Sequence, residues 1–275
     1  MLAIHVPATP VLSIAGLPVT NAVLAAYVSS LFLIGIAVLI RLGLKRIPGR
    51  AQAFFEMIFE YIDDQLSQAF GSKEEGRRFF PLIMTLLLFI AIANQLSIFP
   101  LLFQVLVEGK PLLRLSTSDL SQTITLGLVV VGLSHVLALV LSPIKHIGNY
   151  IRIAPLLRVR SFGDLGQALI QLFLGLMDII GELAKIVSLS CRLFGNLFAG
   201  DVMVAVIVSL SSFTQFIVPI PFLLLGLFSG FVQAFVFTLL SIQFLAGPVT
   251  AAKAHRQARL SARNASKEPI AISST

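Results

Sequence analysis

The chain has 275 residues, 57% hydrophobic and only 12% charged, with a formal net charge of +7. A soluble domain carries about 25% charged residues, so a soluble globular protein is excluded, and the apolar excess excludes a disordered chain. Its one cysteine, Cys191, excludes an internal disulfide framework and a cysteine-cluster metal site.

Residues 1–20 carry no basic residue, so a cleaved signal peptide is not expected. Five later segments are long and apolar enough to cross a bilayer, a task needing about 20 residues. The first spans 21–43 and ends among Arg41, Lys45 and Arg46. Residues 49–70 differ: Phe54, Phe55, Ile58, Ile62 and Leu66 recur at helical spacing, with Glu56, Glu60, Asp63 and Asp64 between them. That pattern predicts an amphipathic helix at a membrane surface. The second span, 79–107, has no charge; Asn94 and Gln95 precede Pro100 in it. The third, 120–145, holds His135, which fits a hydrogen-bonded packing residue as well as a proton relay. The fourth, 165–210, is too long for one upright span, since about 46 residues make nearly 70 Å of helix. It must tilt, break or lie partly in the interface. The fifth spans 220–250, and 254–275 is predicted to be a frayed polar tail.

The loops set an orientation. Basic residues gather in 44–78, in 145–160 (Lys145, Arg152, Arg158, Arg160) and in the tail (Lys253 to Lys267), whereas 1–20 and 211–219 have none and 108–119 has only Lys110 and Arg114. The positive-inside rule then places the N-terminus outside and the C-terminus inside, consistent with five crossings. The same distribution reads the net positive charge as topology, with no nucleic-acid partner. The "NAS" at 264–266 fits a glycosylation pattern but falls on the inner side.

The chain lacks P-loop, GxGxxG, HExxH and GxSxG patterns, so it has no catalytic site of its own and no expected cofactor or metal. What remains is polar chemistry at membrane depth, which costs about 2.5–3.5 kcal/mol per charge on insertion scales and is functional by default. From Ile186 to Ala252 the only charged residues are Arg192 and Asp201. Ser188, Arg192 and Asn196 are spaced i, i+4 and share a helix face. That face continues to Ala199, and in the other direction passes Lys185 and Asp178, the latter within about 40° of Arg192. Asp201, nine residues on, is rotated by about 180°, so it cannot form an intrahelical pair with Arg192. On the last span, Gly226, Ser229, Gly230 and Gln233 form a small-and-polar face; the glycines suit close helix packing. Asp119 stands at the head of the third span, where a helix N-terminal acid would also stand.

The residues 188–201, "SLSCRLFGNLFAGD", resemble the signature of subunit a of the F-type ATP synthase family. Four further stretches resemble the family in order: "IPGRAQAFFEMIFEYI" (47–62), "ANQLSIFP" (93–100), "STSDLSQTITLGL" (116–128) and "FVQAFVFTLLSIQFL" (231–245). The resemblance implies an all-α integral membrane protein in one domain, whose last two helices are long, strongly tilted and paired as a hairpin against a rotor ring. It implies that Arg192 is the family's essential arginine. It further implies that Asn196, Asp201 and Gln233 lie near the ion path with Ser188, that Asp178 lies toward the inner exit, and that Asp119 and Asn94 lie toward the outer side. The implied partners are the ring of c subunits, peripheral-stalk b subunits, the catalytic F1 head and the lipid of a bacterial plasma membrane. The chain departs from the family at Ile186, where many members have proline, at Gly226, where some have histidine or glutamate, and at Ser116 and Ser121. A secondary transporter whose arginine binds an anionic substrate is the alternative class, and an assembly subunit whose polar residues only pack helices is another.

Overall fold

In the computed structural model the described residues are 10–14, 17–45, 47–96, 106–107, 110–111, 119–150, 162–210 and 218–265. Residues 97–105 of the expected second span, Ser116, Arg152, Arg158, Arg160 and Lys267 lie outside them. The architecture is helical. Helix α1 is Asn21–Gly43, α2 Arg50–Phe70, α3 Lys73–Gln95, α4 Leu120–Leu141, α5 Pro143–Tyr150, α6 Phe162–Leu210 and α7 Pro219–Ala265. Two small antiparallel hairpins, β1 Pro10–Ile14 with β2 Leu17–Thr20 and β3 Leu106–Val107 with β4 Lys110–Pro111, add to the expected all-α plan.

Four described helices are long and apolar enough to cross a membrane: α1, α3, α4 and the Pro219–Ala258 part of α7. At 49 residues α6 extends about 73 Å, and its apolar run is interrupted by Asp178, Glu182, Lys185 and Arg192. The expected bounds need three corrections. Helix α3 starts at Lys73 and not at 79, because a charged first turn carrying Glu74 and Glu75 continues the helix out of the apolar run. Leu106 and Val107, expected within the second span, form strand β3. Helix α7 continues to Ala265 through the stretch expected to fray, since that stretch is rich in good helix formers such as Lys253, Arg256 and Ala258.

Helix α2 is amphipathic, as its spacing predicts; the later part of its apolar face packs on protein, while Phe54 and Met57 stay exposed. Ile62, Leu66 and Phe70 are fully buried in a core shared with α3 and α7. The α2–α3 turn is tight: Gly71 is left-handed (φ 65°), which glycine adopts without strain. A Cβ at Gly76 would lie 3.0 Å from the Leu66 backbone, so only glycine allows the two helices to approach this closely. Phe70 stacks on Phe79 at 4.7 Å, and Asp63 faces Lys73 and Arg77 at 3.7 and 3.8 Å. Lys253 ties α7 to this turn, donating to the Phe70 carbonyl at 3.0 Å and pairing with Glu75.

The rest of the core lies among α3, α4, α6 and α7, with Ile83, Ile90, Val130, Leu189, Leu193 and Phe237 inside it. Apolar side chains also cover the outside: Leu31 and Leu39 of α1 are 70% exposed. Such a surface is stable against lipid and costly against water.

Candidate functional site

Helix α6 organises the site because its two sides differ. Leu189, Leu193 and Leu197 are buried toward α4 and α7, whereas Ser188 and Arg192 are exposed and Asn196 is half-buried. Helical spacing alone separates these sets. Among the described side chains no carboxylate pairs with Arg192, so its guanidinium is presented outward on a flank that includes exposed Asp178. Asp201 lies in α6, and its side chain falls outside the described residues.

At the end of the bundle where α3 and α6 finish and α4 and α7 begin, the polar groups are amides and hydroxyls. Ser229 Oγ of α7 donates to Asn196 Oδ1 of α6 at 2.6 Å, joining two faces that the sequence left separate. Asn94 Nδ2 donates to the Gly230 carbonyl at 2.8 Å, and Gln95 Nε2 to the Leu227 carbonyl at 3.1 Å. A Cβ at Gly230 would lie 3.1 Å from Asn94 Cβ, so Gly230 provides the close approach of α3 and α7. Gly226, expected to share that packing role, has no described atom within 4 Å of a would-be Cβ, so no close approach there requires a glycine. A contact not anticipated from sequence is Gly127, where a Cβ would lie 2.7 Å from Ser190 Oγ; Gly127 sets the α4–α6 spacing. Asp119 caps α4, accepting from the Ser121 N–H at 3.1 Å.

Several polar atoms here are buried and have no hydrogen-bond partner among the described residues: Gln95 Oε1, Gln122 Oε1, Ser190 Oγ and Gln233 Nε2. Gln233 itself is 7% exposed. Leaving such a group unsatisfied costs about 1–3 kcal/mol, and ordered water is the usual remedy.

At the opposite end, where α4 meets α5, the chemistry is titratable. A cavity of about 400 Å³ opens among α4, α5, α6 and α7. Glu182 is central: Oε1 accepts from Lys185 Nζ at 2.6 Å, and Oε2 lies 3.6 Å from His135 Nε2. The His135 ring is 5.3 Å from that of His146, which is 5.1 Å from Tyr150. Lys185 also lies 5.5 Å from the Phe244 ring centroid. On α5, the His146 pKa is lowered, first by burial and then by the His135 charge, with Glu182 acting in the other direction. Tyr150 is pushed up to about 12, first by burial, then by the Glu182 charge and its hydrogen bond to that carboxylate, then by Asp178. Sequence reading reached His135 and Lys185 singly and missed Glu182, His146 and Tyr150. The i, i+3 spacing of Glu182 and Lys185 is visible in the sequence; the meeting of four helices is not.

Among known families, the ATP synthase A chain model matches residues 21–246. The chain is 32% identical to ATP synthase subunit a of Syntrophobacter fumaroxidans over 227 residues, covering 81% of this chain and 82% of that one. It is 32% identical over 241 residues to the sodium-ion-specific ATP synthase subunit a of Propionigenium modestum, covering 85% and 75%. With ATP synthase subunit a of Geotalea daltonii it shares 28% over 212 residues, covering 77% and 80%.

Proposed function

Because the chain belongs to the ATP synthase A chain family, and is therefore an ion-translocating membrane subunit of the Fo sector of the ATP synthase complex, we propose that it carries protons between two half-channels and a rotor ring, with Arg192 as the barrier between them. The observation that carries this reading is the exposed placement of Arg192, with no carboxylate paired to it among the described side chains, on a helix whose Leu189, Leu193 and Leu197 are buried.

A ring carboxyl group can pass through lipid when neutral; as a bare ion it cannot, because unpaired charge in hydrocarbon is prohibitive. A proton arriving through one half-channel neutralises it, and a proton leaving through the other ionises it again. Arg192 does not relay protons, since its pKa exceeds about 12. It attracts the ionised carboxylate, lowers that group's pKa and so favours release. Its fixed positive charge also repels protons that would leak directly between the half-channels. Each elementary charge crossing 100 mV yields about 2.3 kcal/mol.

The amide-and-hydroxyl end, with its unsatisfied buried atoms, supports a hydrated outer path past Asn94, Gln233 and the Asn196–Ser229 pair. Asp201 supplies its titratable group, with Asp119 at its mouth. Asp178 lies on the inner side, with Ser188 beside Arg192. Helices α6 and α7 form a tilted hairpin against a ring of c subunits, α6 supplying the fifth crossing, with b subunits and the F1 head completing the assembly. The N-terminus lies outside a bacterial plasma membrane and the basic tail inside.

The test is ATP-driven proton pumping by the complex in reconstituted vesicles. Arg192→Ala is expected to abolish it, and near-normal pumping would overturn the role. A dependence of wild-type pumping on added sodium would reverse the choice of ion.

A further inference from the structure

The cavity where α4 meets α5 lies below Ser188, Arg192 and Asn196 along α6, and the roles proposed above do not use its histidines. It is lined from every surrounding helix. Helix α4 contributes Ser134 and His135, α5 contributes His146 and Tyr150, and α6 contributes Glu182 and Lys185. Ser142, between α4 and α5, lines it too. Helix α7 contributes Gln243 and no titratable group. Pro248 also lines it, and having no N–H it leaves the Phe244 carbonyl without its i+4 helical donor at the cavity wall. About 400 Å³ holds roughly a dozen waters at ~30 Å³ each.

We infer that this cavity is a proton-relaying site on the inner side, in which His135 and His146 pass protons one at a time between the α6 face below Arg192 and the inner water, with Glu182 as their positioning carboxylate. The inference rests on the half-channel reading and deepens it.

Three observations carry it. First, the two imidazoles come from different helices and their rings are 5.3 Å apart. Two imidazolium ions at that separation repel, which disfavours charging both rings at once. The lowering of the His146 pKa by burial and by His135 acts in the same sense. Second, Glu182 divides its oxygens: one is committed to Lys185, and the other lies 3.6 Å from His135 Nε2. Third, the cavity reaches the right surface. Lys185 lies seven residues before Arg192 and within about 20° of its direction, so about 10 Å of helix separates them on one flank.

The step balances simply. A proton released by a ring carboxyl group is accepted by neutral His135, which becomes imidazolium against Glu182. It passes through water to His146 and is released to the inner solution, and both rings return to neutral.

The experiment uses the intact complex in inside-out membrane vesicles, with the pH on the α5 side varied from about 5 to 8, the span over which histidine titrates. The readouts are pumping rate and the amount of this subunit retained with the complex. The double variant His135→Gln, His146→Gln is expected to lose roughly tenfold in rate, a low-end value for removing a proton-transfer group, and to flatten the pH profile. Glu182→Gln is expected to move the profile to lower pH. If the double variant does not assemble, His146→Gln alone decides the question, because this half-exposed side chain lies outside the buried core. Wild-type rate and profile in an assembled variant would overturn the relay, while loss of pumping in Arg192→Ala would leave the barrier reading standing. Normal pumping by Arg192→Ala would remove the barrier reading itself.

Discussion

The two ends of the α4–α6–α7 packing are built from different chemistry. At the end where α4 begins, side-chain amides and hydroxyls bridge the helices: Ser229 to Asn196, Asn94 to Gly230, Gln95 to Leu227. At the end where α4 finishes, two histidines, a tyrosine and a Glu182–Lys185 pair surround an open cavity. The first set offers hydrogen-bonding groups without ionisable side chains; the second gathers ionisable side chains around open space. A subunit that takes up ions on one side and releases them on the other can use that difference. Arg192 lies on α6 between the two ends, and in the proposed mechanism its fixed charge keeps them separate.

The largest way to break the comparison is to remove that separation. Arg192→Ala is expected to raise passive proton conductance of F1-stripped membranes as well as to abolish pumping, since the electrostatic barrier is lost. Next comes Asp201→Asn, which is expected to slow ATP synthesis several-fold while the subunit still assembles; unchanged synthesis would exclude Asp201 from the path.

The two glycines of α7 sharpen the contrast. Gly230→Leu must push apart Asn94 and the α3–α7 contact. It is expected to cost about 1–3 kcal/mol of overpacking, read as a lower unfolding midpoint of the complex in detergent. Gly226→His meets nothing within the described structure. It is expected to fold normally and to give synthesis a new dependence on outer pH near ~6.5, the ordinary histidine value. That variant would place a titratable group at the end that has amides.

The smallest effect is spectroscopic. Tyr150, raised to about 12, gains stability from staying protonated. That contribution is complete below its ordinary value near ~10 and is lost as pH rises through about 12. Glu182→Gln removes two of the causes and is expected to shift phenolate absorbance to lower pH, checked by difference spectra against Tyr150→Phe.

Much of this molecule is legible in one dimension. A helix face follows from spacing, so Ser188, Arg192 and Asn196 share a flank before any fold is known, and the buried leucines opposite follow with them. Apolar length marks the spanning helices, and the bounds of α1 at Asn21–Gly43 coincide with its apolar run. Where charge and helix boundaries part, as at Lys73 and beyond Lys253, hydropathy misplaces the ends because backbone hydrogen bonding does not stop at the membrane surface. The cavity was not legible. His135 read alone fits packing as well as transport, because its partners Glu182 and His146 lie 47 and 11 residues away on other helices. Gly127 and Gly230 resemble the other small residues until a neighbour stands within about 3 Å of a would-be Cβ. The sequence by itself determined which residues face together along each helix, since that depends only on the 3.6-residue period. Tertiary structure alone decided which faces of different helices meet, because that depends on packing distances across the bundle, which no local spacing encodes.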